Sequence, residues 1–379
     1  MPIPKPNLNL KTIIIFIIIV IGFYFLWFYV YDDGNGPGLY HGIPVTTVKG
    51  DSYDMGVSLG NNLRPYIKSI IKDYLYKIFP DPKDRDKAYE KAKALEKYIP
   101  SDYRIEMDAI SQNAKVTYED ILLLNTFIDF TKDELLSCSF SIGKGMSNEG
   151  YVYVGHNTEI KHHDILQEYT RLVVYKPSGK KKFVSITFPG FIGVLSGMNE
   201  DGLCLNIQKI KNDNYNLKNV PSSILTRMIL ERQVDVPFVS NYVSDKYVAA
   251  SINLAIAGKS DNDQYELIVA ELSGNKAKIL HPDKEGRLIT TNIYNSEVDA
   301  SPFNDNDYLK IFNRINPFTS PINIEKMQKI LDSVAKDDMT IQTIIFVPEL
   351  KKFYLACDKI PSTKGNMNLI DLDYIFKNY

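Results

Sequence analysis

The chain has 379 residues, 44% of them hydrophobic, with 44 Lys and Arg set against 46 Asp and Glu. That length can bury a large core, and a net charge of −2 gives nucleic acid or another polyanion nothing to grip by bulk electrostatics. Three cysteines (Cys138, Cys204 and Cys357) are too few for a disulfide framework and leave at least one free thiol.

Residues 13–31 form an uncharged run rich in Ile, Phe, Val and Tyr, preceded by Lys5 and Lys11 and followed by Asp32 and Asp33. At about 1.5 Å per residue such a run just spans a hydrocarbon core. It reads as a transmembrane signal anchor over 12–31, with residues 1–11 as a cytoplasmic tail and everything after it outside the cell or in a lumen. Trp27, Phe28 and Tyr29 stand where a cleaved signal peptide would need small residues. The Gly- and Asp-rich stretch 32–43 is a linker.

Val45 to Val48 predicts a short strand. Asp51 or Ser52 is placed to cap the helix that follows. Helical periodicity covers 54–78, 84–98, 101–114 and 117–129, the last opened by Thr117. From Cys138 the pattern changes to short alternating runs: 138–142, 151–155, 170–175, 182–187, 192–198, 203–208, 253–257, 265–271 and 277–280. Helices are expected at 220–232, 238–247 and 323–336, and two last strands at 342–347 and 352–357. A helical first part followed by antiparallel-looking strands argues an α+β fold with layers of sheet and helix. Lys180-Lys181-Lys182 reads as a solvated hairpin tip. His162-His163 has no Cys or carboxylate at ligand spacing, and no phosphate loop or nucleotide fingerprint occurs, so neither metal nor cofactor is expected.

Several segments, in order, resemble one family. They are Gly50-Asp51-Ser52-Tyr53-Asp54-Met55-Gly56 with Gly60, then Glu106 to Ile110, then Glu119 to Asn125. After Cys138 come Gly193 to Leu203, with its Met198-Asn199-Glu200-Asp201-Gly202-Leu203 core, then Thr291-Asn292, then Thr340 to Pro348. This series is similar to the N-terminal-nucleophile hydrolases of the penicillin V acylase and acyl-coenzyme A:isopenicillin N acyltransferase type, relatives of acid ceramidase and the phospholipase B-like proteins. The resemblance covers roughly residues 45–375.

It implies a four-layer αββα sandwich, with 32–137 as linker and helical prosegment and 138–379 as the catalytic region. The chain would cut itself between Ser137 and Cys138, leaving Cys138 as a new N-terminus. A thiolate is the reactive form of cysteine, and the freed α-amino group is a base within reach of the sulfur. The resemblance makes Asn292 the oxyanion donor and places Asn157 and Glu159 beside the nucleophile. The family usually has Asp where this chain has Glu159, and often Arg where it has His156. It also carries an Arg near a Ser after the Thr-Asn pair, whereas here Ser301 is followed first by Arg314. His156, Asn199, Asn206 and Arg314 are candidates for substrate binding. The implied reaction is hydrolysis of a linear amide, or acyl transfer, through a Cys138 thioester on a small amphipathic N-acyl substrate. The alternatives are a non-catalytic surface protein that keeps the fold and a phospholipase B-like esterase.

Overall fold

A computed structural model describes residues 37–132, 134–161, 165–233, 235–262, 264–274, 276–294, 305–315 and 321–379. The apolar run 13–31, His162-His163 and Ser301 lie outside these. Among the described residues no helix is long and apolar enough to cross a membrane.

The first part opens with β1 (Pro37–Tyr40) and β2 (Ile43–Gly50), followed by α1 (Ser52–Asn62) and α2 (Arg64–Ile70). A π-helical turn over Ile71–Leu75 leads into α3 (Tyr76–Ile78), then α4 (Pro82–Glu96), α5 (Ser101–Ala114), α6 (Tyr118–Leu124) and α7 (Phe127–Phe130). Asp51 caps α1 by accepting from the Asp54 N–H, and Thr117 caps α6 through the Asp120 N–H. Two of the helices expected from periodicity, 54–78 and 117–129, are broken. Pro65 restarts the first after Leu63. The second stops at Asn125, whose side chain turns away to Gly190 O and to the Ile192 N–H.

The strand-rich part runs through β3 (Leu135–Ile142), β4 (Tyr153–Ile160), α8 (Leu166–Tyr169), β5 (Arg171–Pro177), β6 (Phe183–Thr187), β7 (Ser196–Asn199) and β8 (Cys204–Lys209). Then follow α9 (Ser222–Arg232), α10 (Val236–Ser244), β9 (Val248–Lys259), β10 (Tyr265–Gly274), β11 (Lys276–Leu280) and β12 (Arg287–Thr290). The chain ends with α11 (Asn306–Ile315), α12 (Ile324–Asp332), β13 (Thr340–Val347), β14 (Lys352–Ala356), β15 (Asn368–Asp371) and α13 (Leu372–Asn378).

These strands make two sheets, a nine-stranded one in the order β1-β2-β5-β6-β7-β8-β9-β10-β11 and a six-stranded one in the order β12-β3-β4-β13-β14-β15. Three apolar clusters stack them. One packs the early helices and α9 on the outer face of the larger sheet. A second lies between the sheets, where Val174, Val184 and Met198 meet Val154, Ile344 and Phe353. The third packs α11 and α12 on the outer face of the smaller sheet. The layer order is therefore helix, sheet, sheet, helix.

Two expectations need correction. The strands are not all antiparallel, because β2 pairs in parallel with β5, from Val45↔Leu172 to Gly50↔Pro177. The segment ahead of Cys138 is thus part of the larger sheet as well as a helical layer. Nor is the lysine run all solvated, since Lys180 Nζ lies 2.9 Å from the buried Glu231 carboxylate. That carboxylate belongs to a network tying the two parts together. Buried Arg227 on α9 forms a two-pronged pair with Glu106 on α5 (2.6 and 3.0 Å) and bonds Glu231, while the Tyr103 hydroxyl donates to Glu231 at 2.8 Å.

Candidate active site

Strand β3 runs through the Ser137–Cys138 bond and pairs with β4 from Leu135↔Ile160 to Ile142↔Tyr153. Cys138 therefore does not open the strand. Leu135 and Leu136 are apolar and buried, and they find partners on β4 three residues earlier. On the other side β12 reaches only from Thr290↔Ser139 to Arg287↔Ile142. The stretch 135–138 is an edge there, and Asn292, just past β12, fills the gap. The Ser137 N–H donates to Asn292 Oδ1 at 3.3 Å, and Asn292 Nδ2 donates to Lys209 O at 2.7 Å. Ser137 Oγ donates across the sheets to Ile207 O at 3.2 Å.

Side-chain alternation sorts the site into two faces. Cys138, Phe140 and Ile142 turn outward beneath α11 and α12, and the β4 residues on that face are Tyr153, Gly155, Asn157 and Glu159. Cys138 stands opposite Asn157 in register. Asn157 is pinned by its own bonds, donating to Leu331 O at 2.9 Å and accepting from Thr343 Oγ1 at 3.0 Å. Its amide lowers the pKa of the thiol it stands opposite. Gly155 next to it lets α12 come close, since a Cβ there would meet Met327 Cε at 2.9 Å and Phe140 O at 3.0 Å.

The electrostatics of this face follow from burial. Desolvation pushes the Cys138 thiol well above its ordinary pKa, and the charges of Glu159 and Asp307 push the same way, against Lys336 and the Asn157 bond. The thiol is protonated at neutral pH and needs a base. Glu159 is buried too, and desolvation raises its carboxyl to about 7; Lys336 lowers it, Asp307 raises it, and Lys211 and Lys310 lower it. A carboxyl balanced near neutrality beside a protonated thiol is a suitable proton acceptor.

Two further charged residues, Lys336 and Asp307, lie outside the motifs. Lys336 lies in the turn between α12 and β13, with Nζ 2.7 Å from Asp307 Oδ2 at the start of α11. Asp305 accepts the Thr291 hydroxyl at 2.7 Å and caps α11 through the N–H groups of Asp307 and Tyr308. The run Asp305-Asn306-Asp307 before an amphipathic segment is a readable cap signature. For Lys336 the sequence carries no comparable signal.

The remaining candidates divide. His156 and Asn206 face the layer between the sheets, away from the thiol. His156 stands opposite Ser139, and burial alone pushes its pKa down to about 3, so it carries no charge where the family often has a guanidinium. Asn206 is buried opposite Ser196 and accepts from Gln208 Nε2 at 2.9 Å, with its own Nδ2 unpartnered. Asn199 holds the β7–β8 turn. Its Nδ2 donates to Leu230 O and Gln233 O, and its Oδ1 accepts from the Asp201 and Leu203 N–H groups. Arg314 is exposed, because α11 buries Ile311 and Ile315 instead. The structure does not bring Asn199 or Arg314 to the Cys138 cluster. Among the described residues no group of three or more His, Cys, Asp or Glu could hold a metal.

Residues 146–352 match the family model described as acyl-coenzyme A:6-aminopenicillanic acid acyl-transferase, a span that contains Asn157, Glu159 and Asn292 and begins after Cys138. An uncharacterized protein of Archaeoglobus fulgidus is 27% identical over 213 residues, 48% of this chain and 34% of the relative. The chain thus spans about a third of the length of the curated relative it matches. Solved structures are similar at low identity. An N-acylethanolamine-hydrolyzing acid amidase ortholog of Caenorhabditis elegans has a TM-score of 0.46 and 17% identity, covering 56% of this chain and 93% of its own. A mutant of the conjugated bile acid hydrolase from Clostridium perfringens has a TM-score of 0.42 and 12% identity, covering 63% and 93%.

Proposed function

The chain belongs to the acyl-coenzyme A:6-aminopenicillanic acid acyl-transferase family, and on that premise we propose that it is a self-processing cysteine amidohydrolase or acyltransferase acting on a linear N-acyl amide. One observation carries the reading. Cys138, Asn157 and Glu159 share a buried face beside a peptide bond that sits on a strand edge, where Asn292 accepts from the Ser137 N–H just ahead of it.

The cut follows from that arrangement. Glu159 takes the thiol proton and the sulfur attacks the Ser137 carbonyl carbon. The carbon–nitrogen bond breaks, the Cys138 nitrogen takes the proton from Glu159, and a thioester links Ser137 to the sulfur. Water then attacks the thioester, giving a Ser137 carboxylate and a free thiol. Asn292 Nδ2 has two hydrogens, and one is engaged by Lys209 O. The other is available to the oxyanion.

After the cut, the Cys138 amine replaces Glu159 as the base. Its pKa of about 8 suits deprotonation of the neighbouring thiol. Glu159 then faces the new ammonium group. The thiol attacks the substrate carbonyl, the leaving amine takes the proton, and water or a second amine releases the acyl group. Residues 32–137 stay bound as a small subunit, and residues 13–31 hold the protein to a membrane with the catalytic region on the extracytoplasmic side. An amphipathic N-acyl amide, met at that surface, is the substrate class.

Intact-mass measurement of the full chain is the test. Wild type is expected as two pieces divided at Ser137–Cys138, and Cys138→Ala as one. A folded wild type that stays whole and behaves like Cys138→Ala sinks the reading and leaves a non-catalytic surface protein. Faster turnover of matched ester lipids than of amides by the cut protein would favour an esterase.

A further inference from the structure

We infer that Lys336, held by Asp307, is a positioning residue that governs how readily Glu159 accepts the Cys138 proton. The inference rests on the function proposed above and names a residue that its motifs do not contain.

Lys336 is fixed at both ends. Its backbone N–H donates to Thr340 Oγ1 at 2.7 Å, and Thr340 stands opposite Glu159 in the β13–β4 register. Its Nζ is 2.7 Å from Asp307, in the first turn of α11. The start of that helix is set by Asp305, which is bonded to Thr291, the residue before Asn292. The cation is therefore built into the same framework that holds the oxyanion donor and the base.

The charges facing Glu159 come from each element packed around it. They are Lys336 from the turn after α12, Asp307 and Lys310 from α11, Lys211 from the segment after β8, and the Cys138 thiol from β3. Lys310 is half exposed and Lys211 is exposed, so solvent screens both. Lys336 and Asp307 are mostly covered, at 33% and 25% side-chain exposure. A Lys–Asp pair in water does little for stability. With a buried carboxyl in the field of both charges it does something else. The cation favours the ionised form of Glu159, the partner anion opposes it, and the difference sets where Glu159 titrates.

The experiment is the pH dependence of self-cleavage. Full-length protein is held at a pH low enough to keep Glu159 protonated, then jumped to a series of higher values, and the cut fraction is followed by intact mass. Wild type should show a midpoint near the Glu159 value of about 7. Lys336→Met should move it up by about one to two pH units, Asp307→Asn should move it down, and Lys336→Arg should restore it. Opposite shifts are what a merely structural role would not produce. If both variants keep the wild-type midpoint and change only the rate, the inference is wrong. If wild type does not cut at any pH, the reading of function fails first. Carboxyl NMR titration of Glu159 in the uncut Cys138→Ala chain then still decides the role of Lys336. An unchanged Glu159 titration in Lys336→Met overturns it.

Discussion

The Ser137 N–H donates to the side-chain oxygen of Asn292 at 3.3 Å, across 155 residues of chain. The residue on the carbonyl side of the proposed cut is thus held by the side chain proposed to receive the negative charge. The oxygen of that amide accepts from Ser137 and its Nδ2 is tied to Lys209 O, so the amide is already oriented, and an oriented donor needs little reorganisation when the tetrahedral intermediate forms.

Asn292→Ala should therefore slow self-cleavage by roughly 100-fold or more, with the fold retained. A time course by intact mass, alongside circular dichroism, would show it. A cut as fast as wild type would remove Asn292 from the mechanism.

Glu159 makes a prediction about stability as well as rate. Its folded pKa of about 7 lies above the ordinary 4.5, so the folded chain holds the proton to higher pH than the unfolded chain does. The stability this confers is complete below the unfolded value and is lost as pH rises through the folded one, by about 3 kcal/mol in all. In the uncut Cys138→Ala background, Glu159→Gln should have little effect below about pH 5 and stabilise by up to about 3 kcal/mol at about pH 8. Denaturant unfolding at the two pH values measures it. In the Cys138 chain the same change should slow self-cleavage by at least about 100-fold.

The buried Arg227–Glu106 pair joins the segment before the cut to the segment after it. Glu106→Gln leaves the Arg227 guanidinium with Glu231 as its one carboxylate and with Ile192 O, and should cost about 3 kcal/mol or more. In the processed protein the loss should appear as release of the small subunit at denaturant concentrations that leave wild type assembled, read by size-exclusion chromatography.

Close approach of α1 to α5 depends on two glycines one turn apart. A Cβ on Gly56 would lie 2.4 Å from Glu106 O, and one on Gly60 would lie 2.8 Å from Ile110 O. Both obstacles are backbone atoms and cannot swing aside. Gly56→Ala should destabilise by about 1–3 kcal/mol, because the helices must move apart, although alanine is the better helix former. A thermal midpoint equal to wild type would contradict this.

Much of the fold was legible because its patterns are local. Thr117 and Asp51 announced their caps, and the alternating run 203–208 announced the strand Cys204–Lys209. The misses come from long-range partners. Nothing in Ile43–Gly50 says that it will lie parallel to Arg171–Pro177. Arg287–Thr290 and Asn368–Asp371 are four-residue strands, too short for an alternation to register. The site shows the same division. Cys138, Asn157 and Glu159 lie on one hairpin, and their spacing shows in the sequence. Lys336 arrives from about 180 residues beyond Glu159, and only the packing of α11 and α12 brings it there.

The parallel pairing of β2 with β5 has a consequence for where the protein works. If the chain is cut as proposed, no covalent bond joins the nucleophile to anything upstream of it. Whatever address the first 137 residues carry, the reactive part then keeps it through non-covalent contacts alone: the seam of backbone hydrogen bonds, a few buried charges and the apolar packing of the early helices on the larger sheet. Its residence at that address is then a question of how long an uncoupled sheet stays closed.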